Sequence, residues 1–156
     1  MSNNSVTLHR VIKATPEKIY RAFTENNTLA FWLPPYGYLG VVHNMDVKIG
    51  GSYKMTFINF TTGHGHSFGG KYLEIKPNEF LKYTNIFDEP NLSEDMTVSI
   101  WLKKVSCGTE LKIIQEGIPS VIPTEMCYLG WQDSLEKLIK LVEPEIPDAS
   151  IPVSKN

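Results

Sequence analysis

The chain has 156 residues, of which 42% are hydrophobic, enough apolar mass for one sizeable core. Fifteen Lys and Arg stand against 17 Asp and Glu, for a formal net charge of −2, and Arg10 and Arg21 are the only arginines. No basic stripe can track a phosphate backbone, which excludes nucleic acid as the expected partner.

Cys107 and Cys127 form no CxxC pair, and the N-terminal residues lack the apolar run of a secretory signal. Reduced thiols in a cytoplasm are expected. Residues 26–45 carry no Lys, Arg, Asp or Glu, yet Asn26, Asn27, Pro34, Pro35, Gly37 and Gly40 interrupt them, so no spanning helix is predicted there.

In chain order, β-branched and apolar positions predict a strand over 6–13. Thr15-Pro16-Glu17 opens a helix: Thr15 suits the N-cap, Pro16 the first helical position, and Glu17 the positive end of the dipole. Asn26-Asn27 is expected to break that helix. A second short helix follows over 28–33 and stops at Pro34-Pro35.

Between Leu39 and Ile118 no stretch keeps a 3.6-residue period. Short alternating runs separated by turn residues predict six strands, over 41–48, 52–60, 67–76, 80–88, 95–105 and 109–116. With the first strand the sheet has seven. Period-two alternation points Leu81, Tyr83, Asn85 and Phe87 to one face, Tyr53, Met55 and Phe57 inward, and Leu111 and Ile113 inward. A long helix over 124–142 then carries Cys127, Trp131, Leu135, Leu138 and Val142 as an apolar stripe. The expected organisation is one domain over 1–143 and an extended or disordered tail over 144–156.

This order predicts an α+β helix-grip fold, a curved seven-stranded antiparallel sheet wrapped around a long C-terminal helix with two short helices after strand one. A bent sheet cannot touch a straight helix throughout, so a gap between them is natural. Gly50, Gly51, Gly69 and Gly70 favour the bending.

Short signatures occur in order: residues 14–24 around Thr15-Pro16-Glu17, Leu29 with Phe31-Trp32, residues 46–53 around Gly50-Gly51, residues 70–77 from Gly70-Lys71-Tyr72, Leu81-Lys82-Tyr83-Thr84, Gly108-Thr109-Glu110-Leu111, and Gly130-Trp131. Together they resemble the activator of heat-shock protein 90 ATPase homologue-like family, over about residues 5 to 143. That family belongs to the START-like (SRPBCC), birch-allergen-like superfamily. The resemblance implies a helix-grip domain with a cavity for a hydrophobic molecule. It also implies a relation to co-chaperones that carry a separate N-terminal chaperone-binding domain. This chain has no room for that domain, which argues against chaperone activation.

The expected ligand-binding set is Trp32, Tyr53, Phe57, Phe68, Tyr72, Tyr83, Asn85, Phe87, Trp131 and Leu135, with Tyr83 and Asn85 as its polar contacts. The competing reading packs the same aromatic rings as a filled core. His64 and His66 form an HxH pair with no third ligand brought near by spacing, although His43 is a conceivable one. No metal, nucleotide or other cofactor is expected, since no P-loop, GxGxxG or GxSxG stands in its required context.

The leading expectation is therefore binding of a small hydrophobic or amphipathic ligand without catalysis. A cyclase- or hydrolase-like enzyme would use the same cavity, with Glu74 or Asp46 handling protons. A protein-interaction module would use residues 31–36, or the outer sheet face with Ile58 and Phe60, for a homodimer or a chaperone contact.

Overall fold

The computed structural model describes residues 4–92 and 94–148. Strand β1 (Asn4–Ile12) leads to helix α1 (Pro16–Thr24), where Thr15 accepts a hydrogen bond from the Lys18 amide at 3.2 Å as the N-cap. Glu25 takes an extended conformation between α1 and α2 (Asn26–Trp32). The break thus falls one residue before the asparagines, and α2 begins two residues earlier than the sequence suggests.

Six strands follow: β2 (Tyr38–Met45), β3 (Ser52–Asn59), β4 (Gly65–Lys76), β5 (Phe80–Phe87), β6 (Met96–Val105) and β7 (Gly108–Ile118). Strand β2 lies about three residues upstream of its expected position. Gly37, with φ of 88°, turns the chain directly into it, and Asp46 to Gly51 fold into a turn rather than extending it. In that turn the Gly51 amide donates to the Lys48 carbonyl at 2.8 Å.

The strands form one open antiparallel sheet in the order β1-β7-β6-β5-β4-β3-β2. Register irregularities in β2–β3 between Val42 and Asn44, and in β4–β5 between Tyr72 and Glu74, bend the sheet as bulges do. Close approach of β4 to β5 requires Gly70, because a Cβ there would lie 2.0 Å from the Thr84 carbonyl oxygen.

Helix α3 (Thr124–Val142) covers the sheet. It packs against β1, α1 and α2, with Trp131, Leu135, Leu138 and Val142 buried. Past its end, the Lys18 ammonium donates to the Pro144 carbonyl at 2.9 Å. The last eight residues of the expected tail lie outside the described residues. Among the described residues, no helix is long and apolar enough to cross a membrane; residues 26–45 form α2 and β2 instead.

Candidate functional site

Away from the α3–β1 contact, the inner faces of β3, β4 and β5 stand back from α3, and a cleft of about 240 Å³ lies between them. The period of two dictates its sheet wall. Tyr53, Met55 and Phe57 line it from β3, Phe68 and Tyr72 from β4, and Leu81, Tyr83, Asn85 and Phe87 from β5. Cys127, Gly130, Trp131 and Ser134, which share one face of α3, form the opposite wall.

The aromatic rings brace one another edge to face. Phe57 and Phe68 lie 4.8 Å apart at 78°, Tyr53 and Tyr83 5.5 Å apart at 84°, geometries favoured by the ring quadrupole. The Tyr53 hydroxyl donates to the Thr84 carbonyl at 2.8 Å. The Trp131 indole donates to Gln115 Oε1 at 2.8 Å, and Gln115 Nε2 reaches the sulfur of Met96 at 3.2 Å. At the rim, Ser134 donates to a backbone oxygen on α3 or to the Leu33 carbonyl, and Lys137 donates to the Pro34 carbonyl at 2.9 Å. These bonds fasten the segment after α2 to α3.

Among the described residues, no Lys, Arg, Asp or Glu lines the cleft; exposed His66 contributes to the lining and is the only one of them there that can carry a positive charge. Burial pushes the phenols of Tyr53, Tyr72 and Tyr83 well above the ordinary value, reinforced by Tyr83 and Tyr72 at Tyr53, by Tyr20 and Asp46 at Tyr72, and by Tyr72 at Tyr83. Burial likewise raises the Cys127 thiol. The aromatic wall of the cleft, with its phenols and the thiol, is thus uncharged at physiological pH.

A pH dependence follows, with a definite sign. A phenol whose folded-state pKa is raised contributes stability that is complete below its unfolded value of about 10 and is lost as pH rises through the folded value. Denaturant unfolding should therefore show falling stability above about pH 10, with Tyr83→Phe reducing the loss. Phenolate absorbance should show these three of the seven tyrosines ionising together with unfolding. Independent titration of all seven in the folded protein would contradict this.

Eight of the ten residues expected from the sequence line the cleft: Tyr53, Phe57, Phe68, Tyr72, Tyr83, Asn85, Phe87 and Trp131. Trp32 and Leu135 do not. Trp32 is fully buried beside Phe23, their rings 4.8 Å apart, and its indole donates to the Ala22 carbonyl at 2.8 Å. Leu135 lies one turn beyond Trp131, in the buried core.

The carboxylates considered for proton transfer do not reach the cleft. Asp46 sits in the β2–β3 turn 3.5 Å from the Lys48 ammonium. Glu74 is exposed because the bulge beside Leu73 places both residues outward. His43 hydrogen-bonds Thr56 at 2.7 Å, and no group of three potential metal-ligating His, Cys, Asp or Glu converges among the described residues. His9 of β1 pairs with Glu110 of β7 at 2.8 Å.

The sequence reading missed Gln115, although continuing the period from Leu111 and Ile113 would have found it. It also missed Phe23, Leu29, Leu33 and Pro35, which only tertiary approach brings to the cleft.

A seven-stranded antiparallel sheet gripping a long C-terminal helix is the helix-grip fold of START-like domains. The family model described as Activator of Hsp90 ATPase homolog 1-like protein matches residues 13–143, and the chain belongs to that family. A crystal structure of a protein from Chromobacterium violaceum is 51% identical, with a TM-score of 0.90 over 91% of this chain and 99% of that one. A protein from Rhodobacter sphaeroides is 20% identical, with a TM-score of 0.77 over 90% and 92% of the two chains. An Aeromonas hydrophila protein of the same family, solved by NMR, is 15% identical, with a TM-score of 0.73 over 98% and 99%. The last two show the fold alone. No functionally curated protein matches the chain.

Proposed function

We propose that this domain binds a small, largely apolar, ring-bearing molecule between β3–β5 and α3, and that it does so without catalysis. The observation that carries the reading is the cleft of about 240 Å³ walled by aromatic rings. An apolar cavity of roughly 150 Å³ already accepts benzene, so one ring with substituents, or two fused rings, fits here. Protein interiors are otherwise close-packed, and a void this size forfeits dispersion contacts that a guest restores.

Among the described residues no carboxylate lines the cleft, which favours binding over a reaction driven by a carboxylate acid or base. We read residues 1–143 as the binding domain. A cytoplasmic setting accords with the two unpaired cysteines.

Thermal denaturation with p-xylene, p-cresol, indole and naphthalene tests the proposal. A guest at 100 times its Kd adds about 2.7 kcal/mol, which for a chain of this size raises Tm by roughly 5–10 °C. No shift with any probe, together with no heat of binding, would overturn it.

A further inference from the structure

We infer that the molecule bound in this cleft is neutral and carries a hydroxyl group, which it places against the Asn85 amide and the Tyr83 phenol. The inference rests on the proposed function and adds the chemistry of the guest.

The starting point is an imbalance among the polar groups of the cleft. Tyr53 is bonded to a backbone carbonyl, Trp131 and Gln115 to each other, and Ser134 to the backbone. Asn85 differs. Its Oδ1 is buried and accepts no hydrogen bond among the described residues. A buried polar atom left this way forfeits its hydration without replacement, and native structures rarely leave one so without an explanation.

Tyr83 lies two residues earlier on the same face of β5 and also lines the cleft. Its phenol, made hard to ionise by burial, remains available as donor and acceptor. The two residues thus place hydrogen-bonding capacity on a wall otherwise made of Leu81 and Phe87.

A hydroxyl group fits this wall better than the alternatives. It both donates and accepts, so it satisfies either end of the amide, whose terminal torsion is soft and roughly two-fold. A carboxylate set against Asn85 and Tyr83 would be desolvated with no Lys or Arg among the described lining residues and only exposed His66 able to compensate it. A wholly apolar guest would leave the amide as it stands. A site built to hydrogen-bond a hydroxyl discriminates strongly against the analogue lacking it.

The test compares p-cresol, p-xylene and p-toluate by isothermal titration calorimetry. The first two are near-isosteric and differ by hydroxyl against methyl; transfer from water favours p-xylene, so a preference for p-cresol reports the hydrogen bond. The full chain is expected to bind p-cresol at least tenfold more tightly than p-xylene, and p-toluate more weakly than either. Asn85→Leu is expected to abolish the preference while retaining p-xylene, and Tyr83→Phe to reduce it. The wild-type comparison decides the matter even where Asn85→Leu fails to fold. Equal affinity for p-cresol and p-xylene, tighter binding of p-toluate, or a preference that survives both substitutions would overturn the inference and leave the cleft's binding role standing. Failure of all three probes, together with indole and naphthalene, would overturn both.

Discussion

Replacing Trp32 with alanine is expected to cost about 3–5 kcal/mol of unfolding free energy, the usual penalty for deleting a large buried aromatic side chain. Two losses combine. The ring is fully buried and meets Phe23 edge to face, so its removal leaves a void between α1 and α2. Its indole also donates to the Ala22 carbonyl, one of the oxygens in the last turn of α1 that the helix cannot itself satisfy. Domains have only about 5–15 kcal/mol in hand, so the alanine variant loses a large share of its stability. Trp32→Phe keeps most of the apolar mass and loses the hydrogen bond, with an expected cost of about 1–3 kcal/mol. Urea denaturation measures both. Trp32 does not itself line the cleft but backs Phe23, which does; Trp32→Phe keeps an aromatic ring behind Phe23 and should retain ring-probe affinity. A cost below about 1 kcal/mol for Trp32→Ala would contradict its place in the core.

The contrast between Trp32 and Tyr53 shows what the sequence could convey. On β3 and β5 the side-chain period is two, so fixing the orientation of one residue fixes the strand, and Tyr53, Phe57, Tyr83, Asn85 and Phe87 all line the cleft as their alternation implies. Trp32 ends a seven-residue helix, and the period of so short an element does not reveal which neighbour its ring will meet. Leu135 shares the apolar stripe of Trp131, but position along α3 separates lining from core, and that depends on where the sheet bends away. The outward facing of Glu74 was hidden for a related reason: one extra residue at the bulge reverses the alternation between Tyr72 and Ile75. Gln115 was passed over because a polar side chain does not continue an apolar face, and its acceptor is satisfied only by the Trp131 indole 16 residues later.

Filling the cleft tests most directly whether it is a void or a loosely drawn core. Cys127 is half-buried on α3 and faces the aromatic wall. Cys127→Phe should place a ring where the guest would sit, reducing p-cresol and p-xylene affinity at least tenfold, about 1.4 kcal/mol. In a packed interior such an enlargement costs about 1–3 kcal/mol through strained rotamers and displaced backbone. In a void it recovers contacts, at about 24 cal/mol for each Å³ occupied, so the unliganded variant should be as stable as the parent or more so. Cys127→Ala, which enlarges the space slightly, should retain binding. Stability and affinity therefore move in opposite directions only if the space is real. A destabilised Cys127→Phe variant whose ring-probe binding is unchanged would show that α3 and the sheet already interlock around residue 127, and that the guest, if any, lies elsewhere.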